Sequence, residues 1–344
     1  MSPKVIIAIL NYNTRNYLEK FLPSVMRTDY PNFEVWVIDN ASTDDSLDYL
    51  AEHYPSIHTV ALSKNHGFAG GYNEGLKQAE AKYFVLLNSD VEVSPDWINP
   101  IVQHMELDIQ VAASMPKILS YREGHQFEYA GAAGGFIDAL GYPFCRGRIF
   151  HLIETDSGQY NDIREVFWAS GAAMFIRAER WEEMKGLDAD FFAHMEEIDL
   201  CWRLKNRGYK ITCVPHSRVY HVGGGTLSRE NPRKTKLNFR NALITLVKNA
   251  SILELIWKIP VRLVLDGVAG ATFFFKGQWA NTFAIIQAHF LFYAGMPYWL
   301  AKRKESRMKY KPNKVGVYKG SVVFSFFIKK RTQFNQLDAR IKKR

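Results

Sequence analysis

The chain has 344 residues, 47% apolar and 23% charged, which excludes a disordered, collagenous or coiled-coil polypeptide. Its length suits one large α/β domain with an appended segment. The formal charge of +9 is unevenly spread: residues 231–344 hold 23 Lys and Arg against four Asp and Glu, so the first 230 residues are net acidic. A basic tail on an acidic body predicts an anionic partner, either nucleic acid or a phospholipid surface. Cys145, Cys201 and Cys213 lack paired spacing, which excludes a zinc ribbon or disulfide framework and fits a reducing compartment. The opening MSPKVIIAIL runs straight into a strand pattern and does not read as a signal peptide.

In chain order, VIIAIL (5–10), FEVWVID (33–39), HTVAL (58–62) and YFVLLN (83–88) are apolar, β-rich runs. Helical stretches near 15–27, 44–54 and 69–81 separate them. Continuous apolar strands alternating with helices predict a Rossmann-like α/β fold, with a mostly parallel central sheet flanked by helices. Polar residues close each run: Asn11 and Asn13, Asp39 and Asn40, Asn65 just past the third, then Asn88 and Asp90. Ligands of open α/β sheets bind at these carboxyl ends.

Residues 110–225 read as mixed α+β, with strand-like VFWASGAAMFI (166–176), an amphipathic helix over 196–207 and a strand over 209–214. Helices are expected at 235–249, 252–275 and 279–301, before a Lys/Arg-rich tail. Glu254, Lys258, Arg262 and Asp266 recur at fourfold spacing, a single polar stripe on an apolar helix and an interfacial or docking pattern. Segment 279–301 lacks charged residues and has the length of a bilayer span. Asn281, Gln287, His289, Gly295 and Pro297 favour an in-plane or packed helix there instead.

The glycines of SKNHGFAGGYNEGL, at 67, 70, 71 and 75, do not form G-x-G-x-x-G, and no glycine follows the first strand. Both features disfavour a dinucleotide dehydrogenase. Asn88-Ser89-Asp90 closes a buried strand, where a carboxylate beside phosphates suits Mg2+ or Mn2+, although such a tripeptide alone is an ordinary turn. In FFAHMEEIDLCWRLKNRGY, Glu196, Glu197 and Asp199 open a helix, where the dipole favours carboxylates. This is either a capped amphipathic helix or one that turns a carboxylate into a cleft as general base, with its neighbours binding acceptor hydroxyls. His221, ahead of the glycines at 223–225, offers a metal or phosphate ligand, and Ser170 and Gly171 let a substrate approach the backbone.

VIIAILNYN, VWVIDNASTDDS, NHGFAGGYNEGL, YFVLLNSDVEV, ASGAAMFIRA and EEIDLCWRLKNRGY, in this order, resemble family 2 glycosyltransferases of the GT-A fold. The nearest likeness is to the rhamnosyltransferase-like branch that builds bacterial cell-surface polysaccharides, over roughly residues 3–245. The resemblance implies a catalytic domain over 1–230, its nucleotide-sugar half ending near 110 and its acceptor half following. Residues 231–344 would form a basic helical region associated with the membrane. Asn11, Asn13, Asp39, Asn65, Gly67, Gly70, Asn73 and Asn88 would line the nucleotide-sugar site. Asp90 and His221 would hold the Mg2+ or Mn2+ cofactor, Glu197 would be the base, and Ser170, Gly171, Glu196 and Asp199 would bind the acceptor.

Two departures stand out. Asn88 occupies the first position of the D-x-D-like motif, and Glu196-Glu197 replaces the usual Glu-Asp, which makes the base one methylene longer. Asp199 is also placed to pair with Arg203 one turn on, a structural role. No Q-x-x-R-W motif is present, which points to single-sugar transfer. The implied activity is inverting transfer from a nucleotide-diphospho-sugar, with rhamnose on thymidine diphosphate as the implied donor. The acceptor would be a lipid-linked or other saccharide. The enzyme would sit peripherally on an anionic membrane surface, at the cytoplasmic face of the inner membrane, without a nucleic-acid partner. Two readings compete. A nucleotidyltransferase on a similar sheet would carry a G-x-G-x-R-type loop after the first strand, and a nucleic-acid-binding module would interleave basic and aromatic residues on a compact domain.

Overall fold

The computed structural model describes residues 2–223, 231–305 and 311–343. It opens with β1 (Val5–Asn11), β2 (Phe33–Asp39), β3 (His58–Ala61) and β4 (Tyr83–Asn88), joined by α1 (Arg15–Met26), α2 (Ser46–His53) and α3 (Gly67–Gly75). Next come β5 (Val91–Val93), α4 (Asn99–Leu107) and β6 (Val111–Ser120). Four short strands follow: β7 (Gly135–Asp138), β8 (Pro143–Cys145), β9 (Arg148–Ile149) and β10 (Leu152–Ile153). The chain continues through β11 (Arg164–Val166), β12 (Ala173–Arg177), α5 (Ala178–Glu183), α6 (Glu196–Asn206) and β13 (Lys210–His221). Then come α7 (Pro232–Asn249), α8 (Ile252–Phe275), α9 (Trp279–Ala294) and α10 (Met296–Glu305). The last elements are β14 (Val317–Tyr318), α11 (Val322–Phe327) and α12 (Asn335–Asp338).

The main sheet has the order β11-β13-β6-β12-β4-β1-β2-β3, with β5 against β13. It is parallel through β3, β2, β1 and β4, where apolar runs such as Val5–Ile9 are buried on both faces. Beyond that it is mixed, because β12 lies antiparallel to both β4 and β6. Register sets the site: Asn11 stands opposite Asp39, and Leu10 opposite Asn88, so the polar strand ends share one edge. Close packing of α3 on this edge needs glycine. A Cβ on Gly75 would lie 2.3 Å from Ile38, and Gly67 has φ +71° with Phe192 where its Cβ would be.

Several expectations change in three dimensions. The 166–176 run breaks into β11 and β12 because Trp168 turns aside to bridge Gly135, leaving a tight turn at 169–172. The strand expected over 209–214 continues to His221 through an irregularity between Val214 and Arg218, where His216 is exposed. The 279–301 helix stops at Ala294, which makes α9 about 24 Å long by rise per residue. Among the described residues no helix is long and apolar enough to cross a membrane.

The tail is not helical throughout either. β14 pairs with β7 in the second sheet, of order β10-β9-β8-β7-β14, and Tyr318, Phe334 and Leu337 are buried there. Residues 311–343 therefore complete the core around the short strands.

Candidate active site

The polar strand ends form one hydrogen-bonded rim. Asn11, fully buried, donates from Nδ2 to Asp39 Oδ1 at 2.8 Å and to Ser42 Oγ at 3.0 Å, and accepts from Thr14. Asp39 also accepts from the Ser42 amide, and Asn13, at φ +53°, accepts from the Thr43 amide. Asn40 ties the next loop to this rim: it donates to Asn65 Oδ1 and the Gly67 carbonyl, and accepts from the His66 amide. Asn65 in turn accepts from the Gly67 amide at 2.8 Å. The loop at the start of α3 is thus shaped by two asparagines, only one of which the sequence singles out as a binding residue.

At the end of β4, Asp90 Oδ1 lies 3.0 Å from His221 Nε2, which the antiparallel pairing of β5 with β13 brings across the sheet. Asn88 Nδ2 is 3.4 Å from the same nitrogen. The other ring nitrogen, Nδ1, is 3.4 Å from Glu128 Oε2. Burial opposes charging this imidazole, but Glu128 and Asp90 outweigh it and raise its pKa to about 10. Gly223, at φ +69°, backs Glu128, since a Cβ there would come within 2.7 Å of Oε1. The remaining glycines of that turn, 224 and 225, lie outside the described residues.

The second half of the site is the start of α6. Its approach is strained: Phe192, His194 and Met195 all have positive φ, at 63°, 71° and 74°. Asn241 of α7 holds this loop by donating to the carbonyls of Phe191, Ala193 and His194. The Phe192 carbonyl accepts from Phe68 and Ala69, joining the loop to α3. Strain maintained by its surroundings is common where side chains must be aimed. Here it delivers Glu196 and Glu197, whose Oε2 atoms are both buried without a hydrogen-bond partner. Burial raises the Glu197 carboxyl to about 7; burial and the Glu197 charge raise Glu196 well above the ordinary range. Gly171 brings this pair beside the strand ends. A Cβ on Gly171 would lie 3.7 Å from that of Glu197, and the next residue, Ala172, accepts from the Asn88 amide at 3.0 Å.

Residues 5–138 match the model of glycosyl transferase family 2. This segment is a family 2 glycosyltransferase domain. The chain is 29% identical over 224 residues to the O-antigen biosynthesis protein RfbC of Myxococcus xanthus, covering 64% of itself but only 17% of that protein. It is 23% identical over 285 residues to the N-acetylglucosaminyl-diphospho-decaprenol L-rhamnosyltransferase of Mycobacterium tuberculosis, covering 78% of itself and 91% of the relative. Its fold is that of GT-A glycosyltransferases. Mannosyltransferase PcManGT from Pyrobaculum calidifontis, solved with GDP-Man and Mn2+, superposes with a TM-score of 0.52 at 15% identity, over 89% of this chain and 85% of that one. GalNAc-T7, solved with UDP, GalNAc and Mn2+, gives 0.57 at 16% identity, over 72% and 48%.

Within the glycosyltransferase domain and the strands that follow it, Asp90 and His221 could hold a hard divalent cation, which would have to displace the proton that Asp90 and Glu128 favour on the imidazole. A 3.0 Å O–N separation is that of two neighbouring ligands about 2.1 Å from one octahedral ion. Glu128 lies within ion-pair reach of the far ring nitrogen, at 3.4 Å and without a hydrogen bond, and sequence reasoning missed it. Among the described residues no group of three or more His, Cys, Asp or Glu is arranged to hold an ion. Two ligands suffice where phosphate oxygens and water complete the shell.

Three candidate residues stand elsewhere. Asp199 is fully buried, accepting from Arg203 at 2.8 Å, Lys248 at 2.8 Å and Asn249 at 2.8 Å, so it holds the fold and does not meet an acceptor. Asn73 bonds the Leu187 backbone at both ends of its amide and lines a cavity of about 550 Å³ shared with Arg203, Lys248 and Lys302. Ser170 is buried, and its hydroxyl accepts from the Ala172 amide, which leaves it shaping the turn beneath Gly171.

Proposed function

We propose that the chain transfers one sugar from a nucleotide-diphospho-sugar to a hydroxyl of a lipid-linked saccharide in cell-surface polysaccharide synthesis, with inversion at the anomeric carbon. One observation carries this reading: a carboxyl group tuned to about 7, with a free oxygen, beside the rim of buried amides and the Asp90–His221 pair. The relative from M. tuberculosis, whose name specifies a diphospho-decaprenol acceptor, supports the acceptor class. The rim of Asn11, Asp39, Asn40 and Asn65 would receive the nucleoside, with the donor half ending near residue 110 and the acceptor half following.

Glu197 would take the proton of the acceptor hydroxyl as that oxygen attacks the anomeric carbon. The bond from that carbon to the diphosphate would break, and its electron pair would leave with the nucleoside diphosphate. A Mg2+ or Mn2+ ion held by Asp90 and His221 would neutralise the charge developing on this leaving group. Glu196, its carboxyl pushed well above the ordinary range by burial and the Glu197 charge, would favour its neutral form beside the base.

The test is a transfer assay with a panel of nucleotide sugars and a polyprenyl-diphosphate saccharide. Acceptor-dependent release of nucleoside diphosphate, with an inverted anomeric configuration by NMR, is expected. Retention of configuration, or release indifferent to the acceptor with every donor, would overturn the reading.

A further inference from the structure

Helix α8 is inside out for a helix on a water-soluble surface. Its polar stripe faces the protein: Lys258, Arg262 and Asp266 are buried, and Glu254 pairs with Lys258 at 3.2 Å while capping the helix through Ser251. Arg262 stacks on the Tyr142 ring at 3.7 Å and donates to the Leu140 carbonyl. Asp266 accepts from Tyr142 and lies 3.1 Å from His289 of α9. These contacts fix the rotation of α8, because turning the stripe to water would break all of them. The apolar side is consequently presented outward, with Leu253 at 78%, Ile256 at 68% and Phe275 at 85% exposure. α9 continues the surface with Phe283 at 63% and Phe290 at 71%. Trp257, Trp279 and Tyr293 are exposed on the same helices.

We propose that the outer faces of α8 and α9 lie in the headgroup–acyl boundary of an anionic phospholipid bilayer, with the helices in the plane of the membrane. Exposed aromatic and aliphatic side chains on one face of a helix pair are what that boundary accommodates. Charge selects the lipid. Lys276 is exposed at the turn between the two helices, and Lys329 and Lys330 follow the exposed Phe324, Phe327 and Ile328 of the α11 region. Residues 231–344 carry 23 Lys and Arg against four Asp and Glu. A second copy of the chain would set this basic surface against itself, whereas anionic headgroups complement it. The surface is independent of the proposed reaction; it would bring the site to the membrane whatever the acceptor.

The full chain is tested by co-sedimentation with vesicles of phosphatidylcholine alone or mixed with phosphatidylglycerol. Binding to the mixed vesicles at low salt is expected, weakening as salt is added. Joint substitution of Ile256→Glu and Phe283→Glu is expected to lower the bound fraction on the order of tenfold, with melting temperature and nucleoside-diphosphate binding unchanged. On the unmodified chain, brominated lipids should quench tryptophan fluorescence, and Trp279→Phe should remove part of that quenching. Three results would each overturn the proposal: no binding to anionic vesicles, a lipid-free dimer that the double substitution dissociates, or vesicle binding unaffected by that substitution. Soluble-donor binding is read separately, so failure here is distinguishable from failure of the glycosyltransferase reading.

Discussion

Glu197 and Asp199 sit two positions apart at one helix start, and burial gives them opposite fates. Asp199 points among Arg203, Lys248 and Asn249; burial would raise its carboxyl, but the positive charges of Lys248 and Arg203 outweigh it and hold the carboxyl below the ordinary range. Glu197 has no such partner, and burial alone raises it. Glu197→Gln is therefore expected to lower kcat by about 10²-fold or more while donor affinity is kept, measured with saturating acceptor. The pH dependence follows in sign. Below about 7 the carboxyl keeps its proton and cannot accept another, so kcat/KM should rise with pH up to that point and level off above it. The Asp199–Arg203 pair is legible from the i, i+4 spacing. Glu128 is not: it stands alone in a loop and reaches His221 only because β13 runs beside β6, a pairing no local pattern announces.

At the scale of elements, α7 braces the site. Asn241 holds three carbonyls of the strained loop, and Lys248 bridges Asp188 at 2.6 Å and Asp199 at 2.8 Å. Asn241→Ala leaves those carbonyls without their donor and is expected to cost about 1–3 kcal/mol of stability, and to lower kcat, since the loop aims Glu197. Lys248→Met takes one of two cations from each of two carboxylates, which keep Lys302 and Arg203, and should cost about 1–3 kcal/mol in thermal or chemical unfolding. Both carboxyls are held below their ordinary values, so their contribution is present at neutral pH and lost as pH falls through the acidic range. In Lys248→Met the acid-side loss of stability should be correspondingly shallower. The first four strands are legible because unbroken apolar runs between helices have few other solutions. β7–β10, two to four residues each in a glycine-rich stretch, carry no periodicity to read. In α8 the polar stripe is visible in the sequence, but which side of it meets the protein depends on Leu140 and Tyr142, far away in the chain.

For the whole molecule, the charge asymmetry reads correctly as composition, while its apparent division at residue 230 does not mark a break in packing. β14 completes the second sheet, and Phe334 packs on Phe136 with ring centroids 4.7 Å apart. Phe334→Ala is expected to destabilise the protein by about 3–5 kcal/mol, so removing the tail would damage the fold along with any membrane contact. The central claim is that the strand-end rim and the Asp90–His221 pair bind a nucleoside diphosphate with a divalent cation. The most direct measurement is a thermal-shift panel of UDP, GDP and TDP, with and without Mn2+, on the native chain and on Asp90→Asn. One nucleotide should raise the melting temperature of the native chain more with Mn2+ than without, and Asp90→Asn should keep its own melting temperature but lose that increment. No nucleotide-dependent shift in any combination, or an undiminished Mn2+ increment in Asp90→Asn, would contradict it.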